Sequence, residues 1–228
     1  MSWLRRFFRS DAGGESRLRD EARKEAKEEV QKGEPRQEEP RRVPGEVERS
    51  APGIHALFQR LVEGGDHTLL DLGAPSPPNL ERYSRFAKRI RFADLLAGSP
   101  EAWDWDALLP SVPQHLYDVV VGWDILDRVP PRERHPLMER IRETTAPGAH
   151  MYMAVRASDA EETRPWRYVI RAPDRVVQEP EGAPEKAHAQ ILPAEVERLL
   201  KPFQVLHAYT VRVNVREYVA VKAEEASA

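Results

Sequence analysis

Residues 67–94 read HTLLDLGAPSPPNLERYSRFAKRIRFAD. An apolar run ends in Asp71-Leu72-Gly73, a turn and a short amphipathic segment follow, and a second apolar run ends in Asp94. This order predicts strand, helix and strand, which is how a nucleotide-binding βαβ unit begins. The turn holds three prolines, Pro75, Pro77 and Pro78. Such a turn usually has glycines, because proline lacks an N–H and has a fixed φ.

The rest of the chain continues the alternation of strands and helices. Strand-like runs occur at Thr68–Leu72, Arg89–Ala93, Tyr117–Gly122, His150–Val155, Gln204–Val211 and Glu217–Lys222. Helical spacing of apolar residues occurs at Ile54–Leu61, at Arg132–Thr145 and after Pro193. We therefore predict an α/β fold with a doubly wound, mostly parallel sheet. Only a few residues separate the last two strands, so they must form a C-terminal antiparallel hairpin.

The 228 residues divide into an extension, residues 1–50, a domain, residues 51–223, and a tail, residues 224–228. Residues 11–50 are charged and contain hardly any large apolar residue, which predicts a disordered or transiently helical tether. Residues 1–10 place Trp3, Leu4, Phe7 and Phe8 on one helical face, flanked by arginines. Their role stays open: they dock weakly on a membrane surface or a protein, or they are a frayed start or pack on the domain.

Composition excludes several classes of function. The 35 basic and 38 acidic residues give a net charge of −3, so no nucleic-acid partner is indicated. The chain has no cysteine, and its seven histidines show no metal-ligand spacing, so no metal site is predicted. No apolar run approaches the ~20 residues that cross a bilayer, and no signal peptide is evident. We expect a cytoplasmic protein, with peripheral membrane contact as the open alternative.

The pattern resembles the class I methyltransferases, Rossmann-like enzymes that use S-adenosylmethionine, over about Ile54 to Lys222. In that family the first strand ends in an acidic residue and a Gly-x-Gly-x-Gly turn. Here Asp71 and Gly73 match, and prolines occupy the later glycine positions. Asp94 matches the acidic residue that binds the ribose hydroxyls. The stretches YDVVVGWDILDRV, residues 117–129, and ETTAPGAHMYMAV, residues 143–155, are similar to the family's fourth strand and its turn into the fifth.

The resemblance implies S-adenosylmethionine as cofactor and a set of binding residues: Asp71, Gly73, Ala74, Pro75, Asp94, Asp106 and Trp123. Asp106-Ala107 is faintly similar to the turn that holds the adenine amine, although no clear third strand precedes it. The residues alone leave alternatives open. Asp71 and Asp94 can instead cap the elements that follow them, and Trp123 can be a core residue.

No catalytic residue is evident. Asp124 and Asp127 are weak candidates for a general base or for orienting a substrate, with solvated helix-start carboxylates as the alternative. Residues 156–188, with Trp166 and Tyr168, are either a substrate cover or a solvated loop.

The sequence thus favours a methyltransferase that acts mainly by positioning an unknown acceptor, a small molecule or a protein. A non-catalytic methyltransferase-like binding or scaffold protein, tethered by its N-terminal extension, is the alternative. An NAD-dependent oxidoreductase is disfavoured because Gly-x-Gly-x-x-Gly is missing.

Overall fold

The computed structural model describes residues 44–97, 103–110, 116–211 and 214–223. The predictions for the amphipathic start and for the charged tether up to residue 43 lie outside the described residues. All described elements belong to one unit, Val43–Ala228. Its first strand, β1 (Val47–Ser50), lies ahead of residue 51, where the sequence placed the start of the domain.

The six predicted strands form one sheet. They are β2 (His67–Asp71), β3 (Ala87–Phe92), β4 (Tyr117–Val121), β5 (Thr145–Arg156), β10 (Phe203–Val211) and β11 (Val215–Lys222). Their order is β10-β11-β5-β4-β2-β3, with parallel pairing from β3 to β5. β11 runs antiparallel to both β5 and β10. The predicted α/β class, a mostly parallel sheet finished by an antiparallel hairpin, is therefore confirmed.

Helices cover both faces of this sheet. They are α1 (Pro52–Phe58), α2 (Pro77–Tyr83), α3 (Trp105–Leu108), α4 (Ile125–Arg128), α5 (Pro131–Thr144) and α6 (Pro193–Leu200). Consecutive strand residues point to opposite faces, so Leu69 packs in the cluster that includes α1, whereas Leu70 packs with α5 and α6. In the described part of the chain, no helix has both the length and the apolarity to cross a bilayer.

The prolines of the first turn have a structural explanation. Pro77 and Pro78 are the first two residues of α2, where the N–H groups have no partner within the helix anyway. The starts of α1, α5 and α6 use proline in the same way. The loop after β2 therefore leads directly into a proline-started helix.

A smaller antiparallel sheet lies over the carboxyl ends of the parallel strands. Its order is β1-β8-β7, with β7 (Trp166–Ala172) and β8 (Arg175–Pro180) as a hairpin. A two-stranded ribbon of β6 (Glu162–Thr163) and β9 (Glu185–Lys186) accompanies it. The interpretation of residues 156–188 as a solvated loop is thus wrong for this hairpin. Two apolar runs flanking Pro173-Asp174 were the signal that sequence reasoning missed.

A buried ion pair joins the small sheet to the large one. The guanidinium of Arg49 on β1 donates to Glu217 Oε1 on β11, and both side chains are buried. The Tyr152 hydroxyl on β5 donates to the same Oε1 at 2.8 Å, and the Gly53 N–H donates to Oε2 at 2.7 Å. Strands β1 and β5 and helix α1 therefore all donate hydrogen bonds to one carboxylate on β11.

We predict that Glu217→Ala lowers the free energy of unfolding by about 3–5 kcal/mol, because it leaves the Arg49 guanidinium buried without its counter-charge. Replacing both partners by methionine removes both buried charges and should recover part of that loss, because the Tyr152 hydroxyl and the Gly53 N–H still lack their acceptor. Urea denaturation measures both variants. Asp174→Ala is the control, since the Asp174–Arg175 pair is exposed and should contribute less than about 1 kcal/mol. A loss in the double variant equal to that in Glu217→Ala would contradict this account.

Candidate functional site

A cavity of about 690 Å³ lies at the carboxyl ends of β2, β3 and β4, beneath β7 and β8. The chain goes from β2 outward to β3 and then returns to β4 on the other side of β2. Such a reversal creates a crevice, and ligands of open α/β sheets bind there. The volume falls within the range of about 300–1,000 Å³ that is typical of small-molecule sites.

Five of the sequence-predicted residues line this cavity: Gly73, Ala74, Asp94, Trp123 and Asp124. Four others do not: Asp71, Pro75, Asp106 and Asp127.

Asp71 lies directly behind the cavity wall, with an exposed fraction of 0%. Its Oδ1 accepts hydrogen bonds from the Gly73 N–H and from the Trp123 indole N–H, both at 2.8 Å, and its Oδ2 accepts one from the Tyr83 hydroxyl at 2.7 Å. Burial raises the pKa of Asp71 to about 6, against the opposing effect of these three donors. The carboxylate is thus hydrogen-bonded inside the protein and is not accessible to a ligand.

Trp123 forms the floor of the cavity and is held in a strained backbone conformation, with φ at 42°. Its indole stacks on the Tyr168 ring with centroids 4.9 Å apart, and meets Tyr152 edge-on at 5.6 Å. Gly73 suits the position beside it, because a Cβ there would lie 3.0 Å from Trp123 Cδ1 and the indole would have to shift slightly. With 4% of its surface exposed, Trp123 has Tyr168 rather than a ligand as its stacking partner.

Asp94 lines the cavity at the tip of β3, and its side chain is partly exposed there. Its backbone N–H donates to the Gly73 carbonyl at 3.1 Å, which ties the tip of β3 to the loop after β2. Its φ of 44° is another strained value at the cavity wall. In the described residues 95–97 a turn, and no helix, follows, so the helix-cap alternative has no support there. Burial and the Glu181 carboxylate raise the pKa of Asp94, while Arg128 and Arg167 lower it.

Asp124 and Arg128 stand one helical turn apart at the two ends of α4 and both line the cavity. Burial raises the pKa of Asp124 to about 6, Arg128 opposes this, and the Asp127 carboxylate adds to it. The Arg128 Nε is buried and has no hydrogen-bond partner in the described structure. Sequence reasoning did not select Arg128, because a basic residue in the last turn of a helix is common.

The remaining candidates have other partners. Asp106 on α3 is exposed and forms an ion pair with Arg140 on α5 at 3.0 Å, away from the cavity. The Oδ2 of Asp127 accepts a hydrogen bond from the Arg156 N–H at 2.7 Å, and the side chain is buried. Pro75 is exposed. The structure therefore does not bring these three residues to the site.

Charge in the cavity lining is mostly negative. Five acidic residues line it, against the two arginines Arg128 and Arg167. Arg167 is already paired with Glu181, at 2.8 Å. A ligand with net positive charge is therefore favoured over an anionic one.

No protein-family model matches this chain, and no curated protein matches it. Several solved structures of similar fold are methyltransferases. An S-adenosylmethionine-dependent methyltransferase from Mesorhizobium loti is 15% identical, with 73% of this chain and 95% of that one covered and a TM-score of 0.47. The N-methyltransferase NodS from Bradyrhizobium japonicum is 13% identical, with coverages of 75% and 94% and a TM-score of 0.47.

A third similar structure is the 1,6-didemethyltoxoflavin-N1-methyltransferase of Burkholderia thailandensis, with S-adenosylhomocysteine bound. It is 15% identical, with 91% of this chain and 88% of that one covered and a TM-score of 0.43. Similarities at this level do not decide an activity.

We predict that Asp71→Asn folds and loses a pH dependence that the wild type has. Asparagine keeps Oδ1 for Gly73 and Trp123, and its NH₂ can donate to the Tyr83 hydroxyl. In the wild type the pKa of Asp71 is about 6 when folded and 3.8 ordinarily, so the folded state binds more protons between these values. The wild-type free energy of unfolding should therefore fall as pH rises from about 4 to 6, and by less in Asp71→Asn.

Asp71→Ala provides the contrast, because it leaves three buried donors without an acceptor. Each unmet donor costs about 1–3 kcal/mol, so the loss should exceed about 3 kcal/mol. Urea denaturation between pH 4 and 7 measures all three proteins, with the exposed Asp66→Asn as control. Equal pH dependence in the wild type and Asp71→Asn would contradict the assignment.

Proposed function

We propose that this protein is an S-adenosylmethionine-dependent methyltransferase whose acceptor is unknown. The observation that carries the proposal is the cavity at the strand-order reversal, with the open Asp94 carboxylate at the tip of β3. A carboxylate in this position is suited to accept hydrogen bonds from the two hydroxyls of a ribose.

The residues around Asp94 fit a nucleoside with a cationic end. Leu96 and Ile125 give the cavity an apolar wall for a base. The excess of carboxylates in the lining suits a sulfonium. When bound, S-adenosylmethionine supplies an electrophilic methyl group, and its net charge is positive. The fit departs from the family pattern at Asp71 and at the proline-rich loop, because neither offers a free carboxylate or a row of N–H donors.

The chain itself contributes position and shielding. The β7–β8 hairpin covers the cavity and brings Trp166 and Tyr168 to its wall. Of the two weak candidates for a base, only Asp124 reaches the cavity. Catalysis then rests mainly on holding an acceptor in line with the methyl group.

A non-catalytic binding module is the second candidate. The internal use of Asp71 favours it, because the acidic residue that matches the family's first motif has become a structural group. Binding of the cofactor without turnover of any acceptor would support the hypothesis of a non-catalytic binding module.

We predict that S-adenosylhomocysteine binds and that Asp94→Ala weakens its affinity at least about tenfold, since two hydrogen bonds to a charged acceptor are lost. Isothermal titration calorimetry measures this, with the exposed Asp66→Ala as the matched control. Absence of binding by the wild type at millimolar ligand would overturn the proposed function. Equal affinities in Asp94→Ala and the wild type would overturn the role of Asp94.

A further inference from the structure

Arg128 is a charged side chain of the cavity lining that has a buried nitrogen without a hydrogen-bond partner. Its side chain is 13% exposed, and its Nε is buried without a hydrogen-bond partner in the described structure. The Glu185 carboxylate approaches it only to 3.9 Å, beyond hydrogen-bonding distance. A guanidinium has five N–H donors, and leaving one buried and unpaired is unfavourable.

Asp124 is the neighbour that defines what this guanidinium can bind. The two residues are four positions apart, so they face the same side of the α4 turn. The charge of Arg128 acts on both Asp124 and Asp94. The Tyr168 hydroxyl lies within hydrogen-bonding reach of the Asp124 carboxylate, so Asp124 has one internal partner where Asp71 has three. Among the described residues, neither Asp94 nor Asp124 has an ion pair within 4.0 Å.

We propose that Asp124 and Arg128 bind the zwitterionic amino-acid end of the cofactor, with Arg128 on its carboxylate and Asp124 on its ammonium group. The inference rests on the proposed function and extends it to the part of the ligand beyond the nucleoside. Asp71 is closed to this task by its three internal hydrogen bonds.

A zwitterion suits this pair better than a simple ion does. A simple anion at Arg128 would meet the nearby carboxylates of Asp94, Asp124 and Glu185. A simple cation at Asp124 would leave the Arg128 Nε–H unpaired. An α-amino acid carries both charges a few ångströms apart and satisfies both side chains.

Two ligands separate this inference from the proposed function. S-adenosylhomocysteine carries the amino-acid end, whereas 5′-methylthioadenosine has the same nucleoside and sulfur without it. We expect Arg128→Gln and Asp124→Asn each to weaken S-adenosylhomocysteine at least about tenfold in calorimetric titration. Both variants should change the affinity for 5′-methylthioadenosine less than about threefold. Arg128→Lys should keep part of the affinity, because it retains the charge but not the paired donors.

Two control variants change other residues that line the same cavity. Arg167→Gln removes an arginine already paired with Glu181 and should alter both ligands about equally. Asp94→Asn should weaken both ligands, because both carry the ribose. Equal losses of both ligands in Arg128→Gln would overturn the inference and leave the proposed function standing. Failure of the wild type to bind either ligand would overturn both.

Asp124 needs one further readout, because it was also a weak candidate for a base. Loss of affinity for S-adenosylhomocysteine in Asp124→Asn supports the ammonium role. Unchanged affinity for S-adenosylhomocysteine would overturn that role and return Asp124 to the acceptor side of the cavity. Thermal unfolding of each variant verifies that the fold is kept.

Discussion

The hydrogen bonds of the buried Asp71 carboxylate hold the cavity wall in shape. They join the end of β2, the loop at Gly73, helix α2 through Tyr83 and the end of β4 through Trp123. Hydrogen bonds to a charged group contribute about 1.5–3 kcal/mol each, and three of them exceed the strain of about 1–3 kcal/mol in the Trp123 backbone. They also offset part of the desolvation that raises the pKa of Asp71.

The β7–β8 hairpin, which covers the cavity, packs against the same wall. Tyr168 on β7 stacks on Trp123, and the buried Asn79 of α2 bonds to the Tyr168 carbonyl and the Ile170 N–H, both at 2.8 Å. Helix α2 therefore holds the β7–β8 hairpin through Asn79 and, through Tyr83 and Asp71, the loop after β2. On the other side, the small sheet is attached through the Arg49–Glu217 pair. Rigid prolines at the start of α2 suit an element that must hold a second sheet in place.

Sequence patterns were sufficient for the large sheet, because short runs of consecutive apolar residues, such as Leu69-Leu70, fit strands that are buried on both faces. They were not sufficient for β1, where two of the four residues VERS are charged and whose pairing depends on a strand over 120 residues later. Asp94 could be selected from its spacing to Asp71. The internal role of Asp71 could not, since its partner Trp123 is 52 residues away. Asp106 was predicted to bind the cofactor from a faint local pattern, but it lies away from the cavity and pairs with Arg140.

The loop after β2 offers a ligand few backbone N–H groups, which leaves side chains as the main source of donors. The Gly73 N–H is spent on Asp71, and the prolines have no N–H, so the loop after β2 has little to offer a charged group. A ligand in this cavity must then find its charged partners on other elements. Helix α4 supplies both signs within one turn, as Asp124 and Arg128. Side chains hold a ligand through fewer fixed donors than a backbone loop does, so each of these two residues should matter more here than its counterpart would beside a glycine-rich loop.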